Sequence, residues 1–375
     1  MDFKQIRKVL VTKLRHHGDV LLASPVFQTL KNRHPHLHID ALVYRDTQDM
    51  LTGHPAVTTV HTIDRTWKKQ GLFVQGRAEW RLLRTLRRER YDLLLHLTEH
   101  RRGAWLQGLA GIPQACTLAV PGRGRFWQRA FTHTVAPARG GGRHTVEVNL
   151  DHLRVLGVFP EPAERRLVLV PGAGAETQVD TLLKNAGLHA QRFVHVHPGS
   201  RWSFKCWPVE KMAALLDQLR TAGVPVVLTA APDSVELSMV AQIKTRLAGP
   251  VALDLSGQLS LKELAALTQR AALFVGVDSA PMHIAAAMRT RTVALFGPSG
   301  PTMWGPWEPV LDGFHTVLTS DRHPCQPCGR DGCGGGKVSD CLVSLPVARV
   351  LAAVLADLSQ SNHTYLNFDK KSAPI

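Results

Sequence analysis

The sequence predicts an α/β protein in which parallel strands alternate with helices, and three features support this prediction. Short apolar runs recur along the chain between segments with helical periodicity. Turns that contain glycine follow several of these runs, and the best defined lies between a strand from Leu273 and a helix over Ala280–Ala287. The same order of strand, turn and helix starts near Lys8 and again near Phe193, which indicates two doubly wound sheets.

Each predicted element has a local basis: strands are apolar runs between turn residues, and helices carry apolar residues three or four positions apart. In the first half, strands are predicted at 8–14, 37–43, 57–63 and 92–97, with a strand-like run at 167–170, and helices at 20–32, 79–90 and 146–156. In the second half, strands at 193–197, 224–229, 251–255 and 292–296, with another from Leu273, alternate with helices at 209–221, 233–247, 261–270 and 280–287.

The length of 375 residues, 44% of them hydrophobic, accommodates two domains with separate cores. The change from one to the other is expected between residues 160 and 190, where a Pro-Gly-Ala-Gly-Ala segment begins at Pro171. The sequence therefore predicts a first domain over 1–175, a second over 176–358 and a loose polar tail over 359–375.

The net charge of +15 is placed unevenly. Residues 1–186 hold 28 Lys and Arg against 16 Asp and Glu, whereas the remainder holds 17 against 14. A basic first half indicates a large anionic partner, such as nucleic acid, an acidic glycolipid or a membrane surface. The predicted helix at 79–90 combines a leucine stripe with arginines, which suits either a solvated face or contact with phosphates and carboxylates.

The first residues enter an apolar strand without the uncharged run of a signal peptide, and no stretch reaches the roughly 18 apolar residues of a membrane span. We therefore expect a cytoplasmic protein whose contact with a membrane is peripheral.

Four of the six cysteines, Cys325, Cys328, Cys333 and Cys341, lie close together. In a reducing compartment such a group binds metal or remains as free thiols more often than it forms disulfides. The spacing is irregular for a zinc ribbon and includes a flexible glycine run at 334–336. A structural zinc ion and a set of thiols without metal both stay open, and the thiols are favoured.

The ligand of a doubly wound sheet binds at the loops that follow the carboxyl ends of its strands. In the second half these loops carry cations, carboxylates and small residues: Ser200, Arg201, Lys205, Glu236, Asp278, Ser279 and His283, followed by a glycine-rich loop from Gly297. At the turn before residue 280, a side-chain oxygen can cap the helix and free N–H groups attract an anion. Each residue alone fits a structural role, but together they fit a nucleotide-sugar diphosphate.

The corresponding turn of the first half carries Asp19, with Lys13 on the preceding strand. A carboxylate there can accept a proton from a hydroxyl that attacks an anomeric carbon, although an aspartate at a helix start is often only a cap. The first strand is followed by no G-x-G-x-x-G, and the chain has no G-x-x-x-x-G-K-[ST]. A dinucleotide cofactor is thus disfavoured, and a P-loop is absent.

Several segments, in this order, resemble the lipopolysaccharide core heptosyltransferases of glycosyltransferase family 9. They are Gly18-Asp-Val-Leu-Leu-Ala-Ser-Pro25, His197-Pro-Gly-Ser200, Lys205-Cys-Trp-Pro208, Asp254-Leu-Ser-Gly257, Gly276-Val-Asp-Ser-Ala-Pro-Met-His283 and Phe296-Gly-Pro298. The wider pattern, including the segment from Cys325 to Cys333, is most similar to the heptosyltransferase III branch, which adds a side-branch heptose to the second core heptose.

The resemblance implies a B-type glycosyltransferase fold, in which two Rossmann-like domains face a cleft, with the acceptor on the first and ADP-heptose on the second. It also implies an inverting transfer that needs neither metal nor cofactor. By position, Asp19 is the general base and Lys13 lies beside it. The implied donor-binding residues are Ser200, Lys205, Glu236, Asp278, Ser279, Ala280, Pro281 and His283.

The implied acceptor is an inner-core lipopolysaccharide anchored by lipid A in the inner leaflet of the cytoplasmic membrane. Because Arg101 and Arg102 follow the end of a predicted strand, they are candidates for binding its acidic groups. Three alternatives stay open: another heptosyltransferase of the core pathway, a different nucleotide-sugar donor, and a basic nucleic-acid-binding protein. The last is disfavoured by the presence of only three tyrosines and by the lack of a recognition-helix or RNA-binding motif.

Overall fold

The structure is a computed structural model that describes residues 1–137 and 142–368, without the side chains of 361–368. The chain divides into two compact units, Met1–Val170 and Pro171–Ile375. The described part of each unit contains one six-stranded sheet in which neighbouring strands are parallel. The prediction of an α/β protein with two doubly wound sheets is confirmed.

The strands of the first unit are β1 (Lys8–Thr12), β2 (His38–Tyr44), β3 (Thr59–Ile63), β4 (Leu93–His96), β5 (Gln114–Leu118) and β6 (His133–Val135). Its helices are α1 (His17–Leu21), α2 (Ser24–Arg33), α3 (Leu72–Glu89), α4 (Arg102–Ala110), α5 (Arg125–Ala130) and α6 (Thr145–Val155). The sheet order is β3-β2-β1-β4-β5-β6, so the chain reverses its direction across the sheet between β1 and β4.

The strands of the second unit are β7 (Val194–His197), β8 (Val226–Leu228), β9 (Leu253–Asp254), β10 (Leu273–Val277), β11 (Thr292–Leu295) and β12 (Thr316–Leu318). Its helices are α7 (Ala173–Asn185), α8 (Val209–Thr221), α9 (Ser234–Lys244), α10 (Leu261–Arg270), α11 (Ala280–Ala287), α12 (Pro301–Trp304), α13 (Asp340–Val343) and α14 (Val347–Phe368). The sheet order is β12-β11-β10-β7-β8-β9, and the reversal lies between β7 and β10.

Both sheets are buried on both faces, which explains why their central strands are almost entirely apolar. Val9, Leu10 and Val11 of β1 have no exposed surface, and the same holds for the side chains of Phe274 and Val275 in β10. Helices from both faces therefore hold the strand ends, and the loops that follow them, in fixed positions. No helix in the described part of the chain is long and apolar enough to cross a lipid bilayer.

Four local predictions differ from the structure. The helix predicted at 20–32 is broken into α1 and α2, because Pro25 lacks an N–H and is placed in the first turn of the second helix. The strand-like run at 167–170 forms no strand, and the helix predicted at 79–90 begins already at Leu72. The tail expected to be loose from 359 is helical to Phe368, and residues 369–375 lie outside the described part.

Candidate functional site

The two points at which the strand order reverses bring together loops that are distant in sequence. In the first unit, the loop after β1 leads to Asp19 and the loop after β4 leads to Arg101. In the second unit, the loop after β7 carries Lys205 and the loop after β10 carries Asp278. The candidate site residues of each unit therefore lie where a doubly wound sheet binds its ligand.

Lys13, the residue after β1, is buried, with 6% of its surface exposed. Its ammonium group donates to the carbonyl of Leu97 at 3.0 Å and to Oδ1 of Asn149 at 2.9 Å. Both acceptors are neutral, so burial lowers the pKa of Lys13 to about 8, against a smaller opposite effect of the Asp19 charge. The structure thus places a buried cation close to the predicted base.

Asp19 is the third residue of α1 and is only half-buried. Its Oδ2 accepts a long hydrogen bond of 3.4 Å from the backbone N–H of His16, the N-cap residue of the helix. The structural role that the sequence left open, that of a helix cap, is therefore present. Because the contact is long and the side chain reaches solvent, the carboxylate can still accept a proton from a bound hydroxyl.

The two predicted acceptor-binding arginines differ. Arg101 is exposed at the N-cap of α4, whereas Arg102 forms a bidentate ion pair with Glu79 of α3, with distances of 2.7 and 2.9 Å. Arg102 therefore joins two helices. Arg101 is the better placed of the two to meet an anionic ligand.

Lys205 and Asp278, 73 residues apart in sequence, form an ion pair with Nζ 2.6 Å from Oδ2. Asp278 is nearly buried, while the side chain of Lys205 keeps 22% of its surface exposed. The pairing of β7 with β10, in register between His197 and Gly276, brings the two loops together. The exposed part of Lys205 leaves its cation open to an anionic ligand.

The turn after Asp278 leads into α11 as predicted, with Ser279 at the N-cap and Ala280 and Pro281 as the first two helical residues. The expected side-chain cap is not formed: in the described structure Ser279 donates instead to the carbonyl of Val277, at 3.3 Å. The N-terminal end of the helix therefore keeps its attraction for an anion. His283, one turn further on, is buried within the helix packing.

Glu236 lies in the first turn of α9 and is almost fully buried. Its Oε2 accepts from the backbone N–H of Ala231 at 2.8 Å and lies 3.2 Å from Nε2 of His197. Burial alone would raise the pKa of Glu236, but the hydrogen bond and charge of His197 and the N–H of Ala231 hold it below its ordinary value. The site therefore contains a buried, ionised carboxylate.

Two further residues of the His-Pro-Gly-Ser segment shape this loop. A Cβ at Gly199 would lie 2.6 Å from Cδ and Oε2 of Glu236, so only glycine leaves room for the carboxylate. Ser200 is buried, and its Oγ accepts a 3.4 Å hydrogen bond from the N–H of Trp202 in its own loop. The predicted donor residue Ser200 therefore supports the loop in this structure.

The cysteine cluster is split between surface and interior. Cys325, Cys328 and Cys333 are exposed, Cys341 is buried, and all are free thiols. In the described residues, no three His, Cys, Asp or Glu side chains are arranged to hold a metal ion.

The roles of His197, Thr229 and Asn149 were not predicted from the sequence. His197 contacts Glu236, Thr229 contacts His197, and Asn149 binds Lys13. Two polar residues close to the end of an apolar strand, as in the Val-His-Val-His run of β7, are the signal that could have identified His197.

Comparison with known proteins agrees with this arrangement. A family model described as "Glycosyltransferase family 9 (heptosyltransferase)" matches residues 79–338. The lipopolysaccharide heptosyltransferase 3 of Escherichia coli is 36% identical over 295 residues, which cover 78% of this chain and 84% of that protein.

Two solved structures share the fold. A family 9 glycosyl transferase from Veillonella parvula superposes with a TM-score of 0.79 at 21% identity, covering 94% of this chain and 98% of that one. The E. coli ADP-heptose LPS heptosyltransferase II superposes with a TM-score of 0.73 at 22% identity, covering 95% and 99%. These matches confirm the predicted B-type glycosyltransferase fold. The chain belongs to glycosyltransferase family 9, the heptosyltransferase family, and is a glycosyltransferase.

Proposed function

We propose that this protein transfers a heptose from ADP-L-glycero-β-D-manno-heptose to the inner-core heptose of lipopolysaccharide, with inversion and without a metal ion. The observation that carries the proposal is the Lys205–Asp278 pair, which lies beside the N-terminus of α11 at the strand-order reversal of the second unit. The similarity to a lipopolysaccharide heptosyltransferase 3 supports the choice of donor and acceptor.

On the donor side, Lys205 and the N-terminal end of α11 bind the diphosphate of ADP-heptose. Negative charge grows on this diphosphate as the bond to the sugar breaks, and a fixed cation and helix amides stabilise that charge without a metal ion. Glu236 accepts hydrogen bonds from the ribose hydroxyls. Asp278 and Ser279 form the turn that holds the donor, Ala280, Pro281 and His283 continue it into the first turns of α11, and Ser200 holds the neighbouring loop.

On the acceptor side, Asp19 removes the proton of the attacking hydroxyl as its oxygen bonds to the anomeric carbon. A single in-line attack of this kind inverts the configuration of that carbon. The ammonium of Lys13 interacts electrostatically with this neighbouring carboxylate. The reaction requires the acceptor held by the first unit and the sugar held by the second to meet in one complex.

The anionic acceptor and the membrane that carries it meet the basic first unit, on the cytoplasmic side of the membrane. Arg101 is exposed at the start of α4, and α3 presents Leu72 and Phe73, 86% and 96% exposed, beside exposed Arg77 and Arg81. Apolar side chains flanked by cations suit the interface of an anionic bilayer. We therefore assign peripheral membrane contact to the start of α3.

The transfer is tested with purified protein, ADP-heptose and truncated lipopolysaccharide acceptors of defined core length. The proposal predicts a heptosylated product with inverted linkage by NMR, formed in the presence of EDTA. A product only with another nucleotide sugar, or none with any core acceptor, would contradict it. An acceptor without the second core heptose distinguishes this transfer from the other heptosyl transfers of the core.

Membrane contact is tested by co-sedimentation with vesicles of phosphatidylglycerol and phosphatidylcholine. Binding should require the anionic lipid, weaken at high salt and fall several-fold in Phe73→Ser. Phe159→Ser is the matched control, because Phe159 is also exposed in the first unit but lies outside α3. Equal binding by the two variants would refute the assignment to α3.

A further inference from the structure

A row of buried polar groups runs from the second sheet to Glu236. His195 and His197 point to the same face of β7, since side chains alternate along a strand, and Thr229 follows the neighbouring strand β8. Oγ1 of Thr229 lies 2.7 Å from Nε2 of His195 and 2.9 Å from Nδ1 of His197. The row continues from His195 to Thr268 at 3.1 Å, and from His197 to Glu236 at 3.2 Å.

Thr268, in α10, is the last group of the row, and its contacts determine which atom donates and which accepts in each of the other hydrogen bonds. Thr268 donates its hydroxyl proton to the carbonyl of Leu264 at 2.6 Å, so its oxygen accepts from Nδ1–H of His195. His195 is fully buried, which lowers its pKa far below the ordinary value and keeps it neutral. With its proton on Nδ1, the Nε2 of His195 is an acceptor, and the hydroxyl of Thr229 donates to it.

The contacts of His197 show in the same way which of its ring nitrogens carry a proton. The hydroxyl of Thr229 already donates its single proton to His195. Its oxygen can therefore only accept from His197, and the donor is Nδ1–H. A neutral His197 would then turn the lone pair of Nε2 toward the carboxylate of Glu236 at 3.2 Å, which is repulsive. The contact therefore contains one more proton, shared by the pair. The His197 side chain and the N–H of Ala231 lower the pKa of Glu236, so the carboxylate oxygen is the acceptor of this shared proton and Nε2 of His197 is the donor.

The His197–Glu236 pair lies at the edge of the second sheet where a ligand is expected to bind. Among the described residues, the contacts of His197 and of the Ala231 N–H to Glu236 both use Oε2, so Oε1 is the carboxylate oxygen that we assign to a ligand hydroxyl. Glu236 follows β8, and Lys205 follows β7, so a carboxylate and a cation lie at the same edge of the sheet. A nucleoside diphosphate presents a diol to the carboxylate and phosphates to the cation.

We propose that His197 is a positioning residue that orients the carboxylate of Glu236, so that Oε1 accepts from the vicinal hydroxyls of the nucleotide ribose. Thr229 fixes the orientation of the imidazole ring by accepting from its Nδ1–H. The inference rests on the proposed function and adds to it the residues that make Glu236 selective for a ribose with both hydroxyls.

The test compares calorimetric binding of ADP with that of 2′,3′-dideoxy-ADP, which keeps the phosphates and lacks the diol. The unchanged protein should bind ADP about tenfold or more tightly, the usual range for hydrogen bonds to a charged group. His197→Gln and Glu236→Gln should each lose most of this preference while binding of the dideoxy compound stays the same. Equal losses for both ligands in His197→Gln would overturn the inference, since they would indicate a general structural role.

Thr229 provides variants that keep the shape of the core. Thr229→Val removes the hydroxyl and should lower the ADP preference several-fold, whereas Thr229→Ser should restore it. Thr292→Val is the matched control, because Thr292 is equally buried in β11 and donates to Thr290. A Thr229→Ser variant that behaves like Thr229→Val would overturn the inference.

The protonation is read directly from the histidine ¹⁵N NMR spectrum at neutral pH. The signal missing in His197→Gln should come from an imidazole protonated on both nitrogens, and a neutral tautomer there would overturn the inference. If the unchanged chain bound no ADP, the proposed function would fail together with the inference. ADP binding with no diol preference would overturn the inference alone.

Discussion

Each unit contains a lysine and an aspartate at the reversal of its strand order, and the two pairs are built differently. In the first unit the ammonium of Lys13 is held by neutral oxygens of Leu97 and Asn149, and Asp19 is left half-exposed. In the second unit the ammonium of Lys205 contacts the carboxylate of Asp278 directly. The same two residue types therefore lie in different electrostatic environments.

The difference shows what each arrangement can do. The carboxylate of Asp278 is engaged by the ammonium of Lys205 at 2.6 Å, and this contact holds the cation in place at the sheet edge. In the first unit the ammonium of Lys13 binds other oxygens, so the carboxylate of Asp19 is not held in a direct ion pair with it. These environments suit the proposed roles of the first unit in proton transfer and of the second in anion binding, and three measurements test that division.

The largest effect is expected for Asp19→Asn, because an amide cannot accept the proton of the attacking hydroxyl. General-base catalysis contributes about 10²–10⁴-fold, so kcat should fall by this factor while calorimetry shows ADP binding unchanged. Asp2→Asn, at the exposed N-cap of the short 3-10 helix Phe3–Gln5 in the first unit, should leave kcat within about twofold, as expected for a surface substitution. If Asp19→Asn kept nearly full activity, the assignment of Asp19 as the general base would be wrong.

A stability effect of intermediate size is expected for Lys13. Since the folded chain lowers the pKa of Lys13 from 10.5 to about 8, the unfolded chain binds more protons between these values, and stability rises with pH across this window. Relative to Lys13→Met, the unfolding free energy of the first unit should rise by about 2 kcal/mol between pH 8 and 9.5. Urea unfolding at several pH values measures this difference. If the unfolding free energies of the unchanged protein and of Lys13→Met changed in parallel with pH, the pKa of Lys13 would not be lowered as its neutral hydrogen-bond acceptors imply.

The smallest effect is expected for Lys205→Ala, which removes one cation from the diphosphate. The ADP dissociation constant should rise about tenfold, which corresponds to about 1.4 kcal/mol, and kcat should fall as well. Lys244→Ala is a matched control, because Lys244 also pairs with an aspartate of the second unit, Asp254, at 2.5 Å. If both variants bound ADP equally well, the assignment of anion binding to the Lys205–Asp278 pair would be wrong.

Local signals in the sequence were sufficient for several elements of the fold. The helices Val209–Thr221, Leu261–Arg270 and Ala280–Ala287 begin and end at the predicted residues. Ser260 and Glu263 form a capping box at the start of α10, and Pro281 is suited to the first turn of α11. The break between α1 and α2 was missed because the apolar pattern continues through it, although the proline alone stops the first helix.

Apolar runs and turn residues are local features of the chain, so they were sufficient to predict which residues lie in the loops after the strands. They did not predict which of these residues meet: Lys205 with Asp278, Lys13 with Asn149, and His197 with Glu236. These pairs depend on which strands are neighbours, and that order is set by packing between segments distant in sequence. Whether a lysine binds a neutral or a charged oxygen is therefore a property of the fold, and no local pattern encodes it.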